Sequence, residues 1–407
     1  MTNSTAPPQE NIDTPESVNR LIGIGLLTRL LTDTGIQIFF PFLPNIASGL
    51  GISAIAMGRL VSLRSSTGLL SPLFGSLADR QGYRITMRLG LLMSAVGYGA
   101  IAFSTNLWMA AVGMFLAGTG TFAFAPTMQA YLSMKLPYHR RARGIGILEY
   151  AWALSGILGL YLVGLLIEAT NWRVPLYIIS GGLLITAVWY SRLPAADVRH
   201  SSDTKAAAVR NLPSWPQIRA FFELGENGRS AWATLISQGL IMFSAMHLFI
   251  NYGSWLAADY QLTPARLGWV ALILGIADLC ASVLVSLFAD RLGKRHSVLI
   301  GVIIATVGFA VLPLMNVGLE TAVIGLILVR FSFEFSVVSN MAVLSEQVPA
   351  QRGKMMTLGA AFALLGSTLA GFTGPLAYAR IGIWGLGIIP SVAMGITLIL
   401  MISMVKE

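Results

Sequence analysis

One ten-residue stretch occurs twice in this chain. Gly75-Ser-Leu-Ala-Asp-Arg-Gln-Gly-Tyr-Arg84 returns 211 positions later as Ser286-Leu-Phe-Ala-Asp-Arg-Leu-Gly-Lys-Arg295. Five positions are identical in register: Ala78/Ala289, Asp79/Asp290, Arg80/Arg291, Gly82/Gly293 and Arg84/Arg295. Each copy closes one apolar run and opens the next, so each is a tight loop between two helices, and the chain is two related halves. Gly82 and Gly293 permit a sharp turn. Asp79 and Asp290 can face nearby arginines or a helix N-terminus.

The runs joined by these loops belong in lipid. Of 407 residues, 55% are hydrophobic and 11% charged, and the mean hydropathy is +0.71, too little polar surface to cover a soluble body of this size. The net charge of +9 would suit nucleic acid if it lay on one face. It is instead dispersed among short loops, which is a mark of topology, and no nucleic-acid partner is expected. The single Cys280 sits inside an apolar run, so no disulfide framework or cysteine metal site is expected. No metalloprotease helix, paired-cysteine motif or phosphate loop is found, and neither metal nor cofactor is implied. The glycine pairs Gly118-Thr-Gly120 and Gly144-Ile-Gly146 read as helix packing sites.

Twelve segments approach the twenty residues a bilayer requires. In the first half they run near 21–47, 56–78, 86–104, 108–134, 145–167 and 173–193; in the second, near 231–257, 265–289, 297–317, 321–345, 354–378 and 382–404. The expected organisation is a tail at 1–19 without a basic leader, a six-helix bundle at 20–193, a polar linker at 194–230 and a second bundle at 231–407. Residues 217–223 in the linker suit a surface helix. The fold class expected is all-α: twelve transmembrane helices in two pseudo-symmetric six-helix bundles. Lys and Arg collect on one side, from Arg80 and Arg84 through Arg140 and Arg141 and the linker to Arg291, Arg295 and Lys354. Arg59, Arg173, Arg266 and Arg380 lie on the other. The positive-inside rule makes the first side cytoplasmic, with both termini there, in a plasma (inner) membrane.

The pattern Gly-x-Leu-Ala-Asp-Arg-x-Gly-x-Arg, between the second and third spans and again between the eighth and ninth, resembles the signature loop of the major facilitator superfamily. The likeness extends over essentially the whole chain from Leu21, and Pro41-x-x-Pro44 resembles the family's first helix. It implies a secondary transporter for a small molecule, working as a monomer among membrane lipids by alternating access. It also implies that spans one, four, seven and ten line a central cavity. The loop residues Gly75, Asp79, Arg80, Gly82, Arg84, Asp290, Arg291, Gly293 and Arg295 would then form a cytoplasmic gate.

Ionisable residues deep in apolar spans are costly and mark function. Arg29 and Asp33 in span one, and Arg330 and Glu334 in span ten, are each one helical turn apart on one face. Counting 1.5 Å per residue places Asp33 and Arg64 both near the midplane and leads us to expect a contact between them. Asp33, Glu334 and Asp278 are the candidate proton carriers; Arg29, Gln37, Arg64, His247, Asn251, Arg330 and Asn340 are the candidate cavity residues. For the two pairs a permanent structural salt bridge is the competing reading. Glu149, just inside span five, is expected to join Arg140, Arg141 or the signature loop. Phe39, Phe40, Phe42, Phe122, Phe124, Tyr150, Trp152, Phe331, Phe333 and Phe335 are available for a greasy ligand or for packing.

The chain departs from the family twice. Met114 stands where many proton-coupled members carry an arginine in span four, and span five lacks the Gly-Pro bend common in antiporters. The favoured reading is proton-coupled efflux of amphipathic or drug-like molecules. The alternatives are a transporter or flippase of an anionic solute or lipid, with the arginines as its partners, and a non-transporting sensor or membrane enzyme. An enzyme is not expected, since no catalytic constellation is found.

Overall fold

The computed structural model describes residues 15–136, 138–192, 222–225 and 227–405; side chains are described for all of these except 15–20, 138–145, 286 and 288–290. Among the described residues every element is helical, as lipid demands of a chain that must satisfy its backbone internally. Among the described residues ten helical segments are long and apolar enough to span a membrane, or eleven if the bent pair Leu43–Gly49 and Ala54–Gln81 is one span. The twelve expected spans map onto the observed helices in order.

Span one is Pro15–Gln37, which breaks and resumes as Leu43–Gly49. Span two is Ala54–Ser66 continued, through one 3-10 turn, by Ser71–Gln81. Spans three and four are Tyr83–Phe103 and Leu107–Lys135. Span five is Tyr138–Leu154, a π-turn at Ser155–Gly159, and Leu160–Ala169; span six is Arg173–Tyr190. Span seven is Gly228–Phe249 with Tyr252–Tyr260, and span eight is Pro264–Leu292. Spans nine to twelve are Lys294–Val311, Leu319–Gln347, Arg352–Ile381 and Ile383–Ser403. Span one thus begins earlier than its apolar run, and span seven begins inside the stretch expected to be linker. The remainder of that linker, the tail at 1–14 and most of the suggested surface helix lie outside the described residues.

The two halves repeat one another in packing as well as in sequence. Spans three and four, three and six, one and five, one and six, and two and four are in contact. So are nine and ten, nine and twelve, seven and eleven, seven and twelve, and eight and ten. Gly82 (φ 96°) and Gly293 (φ 83°) turn the chain in the same left-handed conformation. Spans two and eight start with matching hydroxyl caps: Ser53 Oγ accepts from Ala56 N at 3.1 Å, and Thr263 Oγ1 from Arg266 N at 3.5 Å. Spans one and seven both break near the face opposite the signature loops.

Between halves, span two packs on span eleven, and span eight on span five. These seams are tight toward the face away from the signature loops. A Cβ on Gly58 would meet Gly371 O at 2.7 Å, and one on Gly164 would lie 3.0 Å from Gly268 Cα. Ser62 Oγ donates to Thr368 O at 2.8 Å, and Glu168 Oε2 accepts from Ala265 N at 2.7 Å. The backbone of Phe40-Pro41 lies directly against Gly253. Toward the basic face, Gly75, Gly146 and Gly353 have open space beside them. The halves therefore meet closely at the far face.

Candidate functional site

Along the seam each half presents an arginine among carboxylates, and the two arrangements differ. In the first half, Arg29 Nη2 lies 3.4 Å from Asp33 Oδ2 and 3.8 Å from Glu149 Oε2, so one nitrogen serves two acids. Both distances are longer than a well-formed charged hydrogen bond. Arg29 Nε and Asp33 Oδ2 are buried without a hydrogen-bond partner. The Asp33 side chain is 2% exposed and that of Glu149 53%. Gln129 Nε2 on span four holds Glu149 Oε1 at 2.7 Å. Glu149 thus joins Arg29 and Gln129; the side chains of Arg140 and Arg141, its expected partners, lie outside the described residues.

Arg64 does not contact Asp33 as its depth suggested. Its Nη1 donates to Ile36 O at 2.9 Å and approaches Gly35 O at 3.4 Å, and its guanidinium lies 5.3 Å from the Phe39 ring centroid. The cause is the end of the helix in span one. Pro41 has no N–H for Gln37 O, so Phe40 N turns back to Gln37 O at 2.9 Å, which leaves Ile36 O without its usual donor. Arg64, 5% exposed, supplies it.

Gln37 is likewise engaged by backbone. Its Nε2 donates to Trp152 O at 2.9 Å and to Ser155 Oγ, at the start of the π-turn in span five. A π-turn carries one residue more than the helix around it and loosens its carbonyls. The side chain of Gln37 enters that opening, beside Gly156, where span five faces Gly275 of span eight.

In the second half the pairing changes. Arg330 donates to Asp278 through two bonds, Nε to Oδ1 at 3.0 Å and Nη2 to Oδ2. A planar fork on a carboxylate makes stronger bonds than a reach along its own helix to Glu334. Glu334 accepts from Ser282 Oγ at 2.8 Å, and no ion pair to it occurs among the described residues. The expected symmetry of the two i,i+4 pairs therefore fails: Arg330 belongs to span eight, and Glu334 is left with a hydroxyl. Span five, which carries Glu149, packs on span eight, which carries Asp278, so acidic residues of the two halves lie on helices that meet at the seam.

Aromatic rings close the seam on the far side. Phe40, Phe249 and Phe333 form a chain across the seam, with centroids 6.5 Å and 5.1 Å apart. Arg330 lies 4.0 Å from the centroid of Phe249, as Arg64 lies over Phe39. Phe39, Phe40 and Phe42 are all buried.

The remaining candidates pack within the second half. His247 Nδ1 is 3.4 Å from Thr373 Oγ1 on span eleven, and Asn251 Nδ2 donates to His247 O at 2.7 Å. Asn340 Nδ2 donates to Gln238 Oε1 at 2.7 Å, tying span ten to span seven. At the basic face, Asp79 is exposed and accepts from Tyr83 OH at 3.0 Å, within its own loop. It borders a cavity of ≈ 230 Å³ between spans two and four, with Ser71, Gly75, Phe122 and Pro126. Arg80 and Arg291 are exposed, and Arg295 donates to Met401 O and Ile402 O at the end of span twelve. The side chain of Asp290 lies outside the described residues.

Sequence reading missed Ser282, Gln129 and Glu168 as partners, and no spacing signal links them to theirs. Phe249 carried no signal beyond its place two residues after His247. The extra residue in span five left only the Gly156/Gly159 pair as a trace.

Twelve helices in paired bundles around a charged seam define a membrane transport protein. The Major Facilitator Superfamily model matches residues 25–252 and 234–407, and the chain belongs to that family. It is 22% identical over 355 residues to the uncharacterized MFS-type transporter YwfA of Bacillus subtilis (strain 168), covering 84% of this chain and 83% of that one. It is 23% identical over 348 residues to the multi-drug resistance efflux pump PmrA homolog of Lactococcus lactis subsp. lactis (strain IL1403), covering 84% and 82%. In fold it is similar to a solved D-xylose-proton symporter, with a TM-score of 0.75, 16% identity and coverage of 96% and 98%.

Proposed function

We propose that this transporter exports amphipathic molecules bearing a positive charge, in exchange for protons, by alternating access. The observation that carries the reading is the state of the seam arginines. Asp278 occupies Arg330, Asp33 and Glu149 flank Arg29, and backbone carbonyls occupy Arg64. Glu334, with only Ser282 as partner, and the half-exposed Glu149 remain as charges a cation can neutralise. An anionic cargo would need an arginine taken from a partner, which disfavours the anion-transport reading.

Phe40, Phe249 and Phe333 are packed together in the closed far side of the seam, and its opening would bare their apolar faces to the rest of such a molecule. The basic face is cytoplasmic by the positive-inside rule, so the space opens to the cell interior. A cation entering there meets Glu334; rocking of the halves about the seam closes the basic side and opens the far one. Return with protons on Glu334 and Asp33 resets the carboxylates. The similarity to the multi-drug efflux pump homolog of Lactococcus lactis agrees with this direction.

The test is ethidium transport in proteoliposomes under an imposed pH gradient. Wild-type protein is expected to move ethidium against its gradient, and Glu334→Gln to lose that response while remaining folded. Ethidium flux identical with and without the pH gradient in wild type contradicts proton exchange.

A further inference from the structure

Arg29 is held unlike Arg64 and Arg330. Arg330 and Arg64 each make short, directed bonds, but Arg29 offers one nitrogen to two carboxylates at 3.4 and 3.8 Å and leaves its Nε without a partner. Those carboxylates differ in surroundings: Asp33 is sealed in the first half, and Glu149 stands largely in the open mouth of the seam. They also lie on different spans, one and five, which cross at the Gln37 π-turn contact. A cation midway between a dry acid and a wet one has two resting places separated by a small movement.

We propose that Glu149 is a positioning residue for proton exchange: it competes with Asp33 for Arg29, so that Arg29 moves toward Glu149 when Asp33 takes a proton and back when Asp33 gives it up. The proposal rests on the reading of Asp33 as a proton carrier. It adds an exchange partner not required by that reading and links protonation to the span one–span five contact. The balance is simple. A proton bonds to an Asp33 oxygen, the Arg29–Asp33 attraction is lost, and the guanidinium keeps its charge by closing on Glu149. Gln129 keeps the Glu149 carboxylate aimed at Arg29 throughout.

The groups acting on Asp33 are few. Arg29 lies on its own span and Glu149 on span five; Tyr98 on span three is the third titratable neighbour. Arg64 on span two is committed to the carbonyls of Gly35 and Ile36, and Glu334 on span ten accepts from Ser282. Among these, Glu149 can be neutralised with little risk to folding, because its side chain is half exposed.

Infrared difference titration of the purified protein reads Asp33 without any substrate, its carboxyl band being assigned by loss in Asp33→Asn. With Glu149→Gln, Asp33 holds Arg29 alone, and a proton must displace a stronger ion pair. The midpoint of the Asp33 band is expected to fall by about one pH unit, within the range a single nearby charge produces. Glu149→Asp should restore the wild-type midpoint. A Glu149→Gln midpoint equal to that of wild type, or a higher one, overturns the shared cation. Loss of proton-driven ethidium transport in Asp33→Asn tests the function reading separately. Should Asp33→Asn transport normally while the Glu149→Gln shift is present, proton carriage by Asp33 fails and the sharing of Arg29 stands.

Discussion

Asp278 on span eight and Arg330 on span ten face each other squarely, Nε to Oδ1 at 3.0 Å and Nη2 to Oδ2, with neither residue more than 5% exposed. Removing one member leaves the other charged and buried. Asp278→Ala is expected to cost about 3 to 5 kcal/mol of stability, and replacing both residues by apolar ones to recover most of it. Thermal unfolding of the two variants in detergent checks this. A single variant as stable as wild type would show the pair to be hydrated.

Arg64 and Asp33 are predicted to act independently on stability. Arg64 stabilises the frayed end of span one through Ile36 O, so Arg64→Met should cost about 1 to 3 kcal/mol for the carbonyl left unpaired. With no direct contact, the double variant Asp33→Asn/Arg64→Met should be additive within about 0.5 kcal/mol. Coupling well beyond that in a double-mutant cycle would restore the contact expected from depth alone.

These two cases show where the sequence was legible and where it stopped. The repeated turn at Gly82 and Gly293 announced the halves, because a turn between spans needs the same backbone in each copy. The four-residue spacing of Arg29 and Asp33 gave a true pair, yet the same spacing misled at Arg330. There a carboxylate 52 residues away offers two bonds, and Glu334 on the same helix is held by Ser282 instead. Pro41 held part of the information that places Arg64: it has no N–H for Gln37 O, Phe40 N turns to that carbonyl instead, and Ile36 O is left without a donor. What fills a stranded carbonyl is decided by a neighbouring helix, and no local pattern records that. The π-turn of span five is illegible for the same reason: it is fixed by Gln37 reaching across from span one.

The seam glycines should tolerate little. A Cβ on Gly275 would lie 2.8 Å from Ile157 N and 3.0 Å from Gly156 C, so the helices must separate. Gly275→Val is expected to hold the far side open and reduce ethidium transport at least tenfold, while the protein still elutes as a single species by size exclusion. Wild-type transport in this variant would mean that the two spans need not close.

Glu168 ties span five to the first turn of span eight through Ala265 N. Loss of a helix N-cap costs about 0.5 to 2 kcal/mol, and here the cost falls only on the far-closed state. Glu168→Ala should therefore raise the far-open population severalfold, seen as faster labelling of a cysteine placed at the buried Leu160 in a Cys280→Ser background. Unchanged labelling would reduce Glu168 to a surface contact.

The positive-inside reading predicts that both termini lie on the cytoplasmic side. A fluorescent protein fused after Glu407 should fold and fluoresce in the cytoplasm, whereas alkaline phosphatase inserted after Val317 should be active outside the inner membrane. The reverse pattern would invert the direction of transport.

The most direct test of the two-bundle mechanism is a pair of distances measured by electron–electron double resonance in Cys280→Ser protein. One pair of labels sits at Leu73 and Leu287 toward the basic face, the other at Leu107 and Val317 on the far face; all four side chains are exposed. When ethidium is added and the pH changed, the first distance should shorten as the second lengthens, because one seam closes while the other opens. If the two distances change together, or neither changes, the halves do not rock about the charged seam and the mechanism is wrong.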